Sequence, residues 1–190
     1  MDFPEYFKGF DSMTNKEAGM YFEWYISQQD CRIEMLRSYI SNETGETGML
    51  DFSPKSLEYL WKWFAPRIET RKRSIEEIEE DRKSIPEEFW DAIKEECFTA
   101  MTLALIIDIG FYFAAVITRN NPSIEWGYFT KPKSRAFLKE PVLVGFIHDM
   151  EMSPAGIVEV ISIKTHEKRA DKSLYESYLH WINNYVTDVK

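Results

Sequence analysis

Apolar positions along residues 14–41 recur at helical spacing, through Ala18, Tyr21, Phe22, Tyr25, Ile33, Leu36 and Ile40. Thr14-x-x-Glu17 opens that stretch as a capping box, in which hydroxyl and carboxylate each serve a free amide of the first turn. Gln29 interrupts the apolar face. Residues 42–48, with two glycines among polar residues, form a loop. A second helix is expected at Ser53-Pro54, Ser53 acting as cap, with Leu57, Leu60, Trp61 and Phe64 on one face. Pro66 ends it, because proline lacks the donor and restricts Ala65.

Residues 67–84 are dense in both signs of charge and carry too few isoleucines (Ile68, Ile75, Ile78) to bury much area. A solvated helix or connector is expected, with Glu69–Arg73 and Glu79–Lys83 paired at i, i+4. Its basic run Arg71-Lys72-Arg73 is neutralised by neighbouring acids. Ser84-Ile85-Pro86 restarts a helical pattern through Phe89, Trp90, Ile93 and Cys97 into the most apolar stretch of the chain. Whether 86–119 is one bent helix or two is left open by the pattern. The central helix, near 99–119, ends at Asn120-Asn121-Pro122, and its Gly110 and Ala114 form a small-residue face that a neighbour can approach closely.

Beyond it the character changes. Ile124–Thr130, Val142–Ile147 and Ile157–Lys164 are rich in strand-favouring residues between proline, glycine and polar turns. The last two are expected to pair as an antiparallel hairpin. Asp171 is expected to cap a closing helix through Val186, with Leu174, Tyr178, Trp181 and Tyr185 on one face. The sum is a single α+β domain: a helical N-terminal half around a buried central helix, a small antiparallel sheet of about three strands, and a C-terminal helix.

Composition alters this picture in two places. Residues 97–117 are apolar enough, and as a helix long enough at about 30 Å, to cross a bilayer. Asp108 near their middle argues against insertion, at about 2.5–3.5 kcal/mol. Asp108, Tyr112, Ala115 and Arg119 fall on one narrow polar stripe, as in a buried core helix. Second, 32 acidic against 23 basic residues give a net charge of −9, which disfavours nucleic acid and anionic lipid and suits solubility first and a basic protein partner second. Cys31 and Cys97 form no disulfide framework, and residues 1–13 lack the basic start and apolar run of a secretory signal. A cytoplasmic location is the expectation.

Three histidines are the natural acid–base or metal groups. In the expected hairpin His148 and His166 sit at opposite ends, roughly 20 Å apart at strand rise, too far to share a metal. No H-E-x-x-H, cysteine cluster, G-x-S-x-G, P-loop or G-x-G-x-x-G occurs, so no catalytic residue, metal or cofactor is assigned. Cys97 reads as a small core residue. The stripe of Asp108, Tyr112 and Arg119 is read as structural. The strand and loop carrying Trp126, Lys131, Lys133 and Arg135 form a candidate interaction loop.

The run DIGFYFAAVITRNNPSIEWGYFTKPKS, with EPVLVGF and GIVEV beyond it, resembles a group of small uncharacterised bacterial proteins, chiefly of Bacillus-like organisms. The matching marks are Asp108, Gly110, Arg119, Asn121, Pro122, Trp126, Gly127, Pro141 and Gly145, within about residues 103–161. The helix–sheet architecture also looks distantly like bacterial toxin-immunity proteins. The net charge, the absence of a catalytic constellation and that resemblance together lead to the expectation of a non-enzymatic, immunity-like interaction protein that binds a basic partner through an acidic surface. The rival expectation is an enzyme or small-ligand protein with a pocket between the central helix and the sheet. The aromatic C-terminal helix leaves room for a homodimer.

Overall fold

The computed structural model describes residues 4, 5, 7–169 and 173–186. Its elements in chain order are α1 (Asn15–Thr44), α2 (Ser56–Phe64), β1 (Thr70–Lys72), α3 (Ile75–Ser84), β2 (Glu96–Phe98), α4 (Ala100–Asn120), β3 (Glu125–Gly127), β4 (Val142–Val144), α5 (Pro154–His166) and α6 (Leu174–Tyr185). The class is α+β, as the pattern predicts. The strands form two separate two-stranded antiparallel sheets, β1–β2 and β3–β4, rather than one sheet of three.

α1 starts on the expected capping box: the Glu17 amide donates to Thr14 Oγ1 (3.2 Å) and the Thr14 amide to Glu17 Oε2 (2.7 Å). It ends where Gly45 takes φ 75°, a left-handed turn that glycine adopts without steric penalty, and donates its amide to the Ser41 carbonyl. The Gln29 interruption has a purpose, since its Oε1 accepts from Trp126 Nε1 at 2.8 Å. Ser53 does not cap α2 with its side chain. Its carbonyl instead accepts from both the amide and the hydroxyl of Ser56, in a turn that leads into the helix.

α4 is the central element, buried from Leu105 to Ile117 except at Ile107. It is the one described helix long and apolar enough to cross a membrane, and most of it lies inside the fold. Thr99 Oγ1 caps it by accepting from the Thr102 amide (3.2 Å). α1 packs on one side of it and α5 on another. At the α5 crossing a Cβ on Gly110 would lie 2.8 Å from the Ala155 Cα. The small-residue face therefore receives a helix backbone.

That neighbour corrects the expectation for Ile157–Lys164, which is the body of α5 and not a strand. Ser153 Oγ accepts from the Gly156 amide (3.2 Å), Pro154 occupies the first turn, and Val158, Ile161 and Ser162 are buried at helical spacing. Tertiary burial against α4 outweighs the strand preference of its β-branched residues. β4 pairs instead with β3, Trp126 opposite Leu143. It stops at Gly145, whose φ of 97° lets the backbone run so close to Ser123 that a Cβ would sit 2.0 Å from its carbonyl oxygen.

The stretch 86–119 is neither one bent helix nor two. A 3-10 turn (Glu87–Ala92) precedes β2, which pairs with β1 in the register Thr70–Phe98, Arg71–Cys97, Lys72–Glu96. Within 67–84, α3 is the solvated helix, but its ion pairs are Arg71–Glu77 (2.5 Å), Arg73–Asp81 (2.8 Å) and Lys83–Glu80 (3.0 Å), not the i, i+4 pairs expected. Asp171 lies outside the described residues. Ser173 caps α6, its Oγ accepting from the Glu176 amide (3.2 Å). One continuous core joins α1, α2, α4, α5 and α6.

Candidate functional site

The polar stripe of α4 is fully engaged by neighbouring elements. Asp108 Oδ1 accepts from Arg32 Nε at 2.5 Å, with side chains only 9% and 14% exposed. Burial lifts the Asp108 carboxyl above the ordinary range, and Arg32 opposes that rise. The Tyr112 hydroxyl lies 2.6 Å from Ser56 Oγ and accepts from the Phe52 amide (2.9 Å). Arg119 lies over the ring of Phe52, with its guanidinium 3.4 Å from the ring centroid. Arg37 also lies over that ring, at 4.4 Å. Phe52 itself has φ 64°, and its carbonyl accepts from Asn120 Nδ2. Tyr112 and Arg119 thus clamp the turn before α2, while Asp108 ties α4 to α1.

The 126–135 loop is likewise divided. Trp126 packs edge-on against Tyr25 and Phe111. Arg135 is bound by Asp149 and Glu151 and lies over the Phe129 ring. Lys131 and Lys133 are exposed. Only these two of the four candidate residues present free charge to solvent.

A concave site lies elsewhere, at the N-terminal end of α4. A cleft of about 880 Å³ runs between the β1–β2 ribbon, α3, the 87–92 turn and the C-terminal half of α5. Its apolar surface includes Phe98, Ile163, Ile85 and Ile93, and two wall residues stand open to solvent, Phe89 (54% exposed) and Leu103 (43%). Around these sit five carboxylates, of Asp81, Glu95, Glu96, Glu159 and Glu167, against two cations, Arg73 and Lys94. Both cations are already neutralised, Arg73 by Asp81 (2.8 Å) and Lys94 by Glu167 (2.5 Å). The Lys94 hydrogen bond holds the Glu167 carboxyl below its ordinary range. Glu95, Glu96 and Glu159 have no lysine or arginine partner among the described residues; Glu96 Oε2 is 3.8 Å from His166 Nε2. The rim is therefore net negative.

Strand alternation sorts the reactive groups. Lys94 contacts Glu167, just past the end of α5, and Glu96 approaches His166, the last residue of α5, so residues 94, 96 and 98 face that helix. Arg71 and Arg73 contact α3, so their cross-strand partners Cys97 and Glu95 face the other way. Cys97, half-buried in this ribbon rather than in the core, is thereby turned away from His166. A thiolate–imidazole pair is not formed. The expected hairpin between His148 and His166 does not form: His148 sits in a 3-10 turn (Ile147–Asp149) and His166 ends α5. Among the described residues no three His, Cys, Asp or Glu side chains are grouped to hold a metal.

Comparison of the chain with protein-family models, curated proteins and solved structures finds no match. The cleft itself escaped sequence reasoning. Its only early sign is the set of acids from Glu95 to Glu96 beside the apolar Ile93 and Phe98, a pattern that gains meaning once β2 is known to be a strand.

Proposed function

We propose that this chain is a cytoplasmic, non-catalytic binding protein that holds a basic, apolar-bearing segment of a partner protein in the cleft beside β2. The observation that carries this reading is the cleft's composition: exposed Phe89 and Leu103 beside three carboxylates that no lysine or arginine neutralises. Solvent-facing aromatic and aliphatic groups supply area on binding, and unpaired charge selects the partner's sign. The net charge of −9 extends that preference to longer range. Two free cysteines, Cys31 exposed and Cys97 half-buried, suit a reducing compartment. An immunity-like role against a basic toxin is one form of this function.

The test uses two capped decapeptides, one alternating lysine with valine and the other glutamate with valine, followed by fluorescence anisotropy. The lysine peptide should bind and the glutamate peptide should not. Substituting Glu96→Gln and Glu159→Gln together should weaken the lysine peptide by about tenfold, as expected for two lost charge contacts of about 0.7 kcal/mol each. Equal binding of both peptides, or an unaltered affinity in the doubly substituted protein, would overturn the reading.

A further inference from the structure

From the hydrogen-bond parity of the β1–β2 ribbon we infer that the partner segment enters the cleft as an extended strand, adding to the outer edge of β2. This rests on the binding function proposed above and specifies its mode. In an antiparallel pair, residues that exchange hydrogen bonds alternate with residues whose amide and carbonyl point outward. The Arg73 amide donates to the Glu95 carbonyl (2.8 Å) and the Thr99 amide to the Glu69 carbonyl (3.0 Å). With the observed register, the bonded pair between these is Arg71–Cys97. Glu96 and Phe98 therefore direct their amides and carbonyls away from β1. Among the described residues nothing accepts from or donates to those groups.

The cleft lies along this same edge. Its lining takes in Lys94, Glu95, Glu96, Cys97 and Phe98 without a gap. Side chains of a strand alternate between faces, so a hollow against one face would touch every second residue. Within β2 the cleft touches Glu96 and Phe98 of one face and Cys97 of the other, so it is not confined to one face of the strand. A strand placed there would direct one set of side chains towards α5, where Glu96 and Glu159 lie, and the other towards Ile85 and Phe89. Alternating basic and apolar residues satisfy both sides. Backbone pairing supplies affinity and the alternating side chains supply selection, as in other strand-addition complexes.

The lysine–valine decapeptide is prepared in two N-methylated forms, one methylated at every lysine and one at every valine. Each form removes the amide donors along one edge of an extended chain and leaves the other edge intact. Strand addition requires that one form lose at least about tenfold in affinity, while the other stays within about twofold of the parent. On the protein side, Glu96→Pro removes one outward amide without touching the Arg71–Cys97 pair, so it should weaken binding more than Glu96→Gln does, at an unchanged melting temperature. Equal affinity of both methylated forms with the parent, or equal loss in both, overturns strand addition while the binding function stands. Failure of the parent peptide itself overturns the binding function. A dimer in sedimentation that the lysine peptide dissociates would make a second copy of this chain the edge's natural occupant and overturn the assignment to a basic partner.

Discussion

Replacing Arg32 by leucine isolates a charge in the core and tests what holds α1 to α4. Arg32 Nε and Asp108 Oδ1 are 2.5 Å apart, and the Asp108 side chain is 9% exposed, so water cannot replace the lost donor. Breaking one side of a buried pair costs about 3–5 kcal/mol. With a urea m-value of about 2.5 kcal/mol/M for a chain of this size, the midpoint should fall by about 1.5 M. Asp108→Asn is gentler, because an amide oxygen still accepts from Arg32 Nε and the arginine is 14% exposed. Its cost should be about 1 kcal/mol, the difference between a charged and a neutral hydrogen bond. The pH dependence separates the two. Burial already holds the Asp108 carboxyl above its ordinary range, and Arg32 is what restrains that rise. Without Arg32 the folded-state pKa climbs further above the unfolded value, so the folded chain takes up a proton more readily than the unfolded one. Stability from that proton is present at acid pH and lost as pH rises through the folded-state pKa. The deficit of Arg32→Leu relative to the native chain should therefore be greatest at neutral pH and shrink towards pH 5. Urea titrations at both pH values, followed by far-UV circular dichroism, measure this. A deficit that is constant or grows on acidification would refute the argument.

Two further substitutions test packing. Gly110→Ala would gain about 1 kcal/mol of helix propensity, yet its Cβ meets the Ala155 backbone at 2.8 and 2.9 Å. Forced separation of α4 and α5 should win by about 1–3 kcal/mol, read as a lower melting temperature, and a stabilised variant would contradict the close approach. Tyr112→Phe removes the acceptor of the Phe52 amide and the partner of the buried Ser56 hydroxyl, and should cost about 1–3 kcal/mol in denaturant titration. A neutral result would mean that the turn before α2 does not depend on that hydroxyl.

Helix faces were legible where local and tertiary preferences agree. Thr14 and Glu17 announce α1, and Gly110 with Ala114 announces a close neighbour, because capping and steric clearance are written in single residues. The identity of that neighbour was hidden. Ile157, Val158, Val160, Ile161 and Ile163 favour a strand locally, and only contact with α4 makes them helical. The Ser153-Pro154 pair was the cue that pointed the other way, and it matches the start of α5.

The cleft was hidden for a different reason. β1 and β2 contain three residues each, and their pairing joins residues as distant in the chain as Arg71 and Cys97. Strands so short show no periodicity, and Arg71-Lys72-Arg73 reads as a solvated run because charge dominates it. Once the pair forms, that same run takes on a definite geometry: Arg71 and Arg73 are drawn to Glu77 and Asp81 on one face, and Lys72 stands opposite Glu96 on the other. Glu96, in β2, and Glu95 just before it then lie beside an edge whose backbone faces outward. Register thus sets Glu95 and Glu96 in a cleft whose wall also carries the exposed Phe89 and Leu103. The proposed binding edge rests on this placement and not on the net charge.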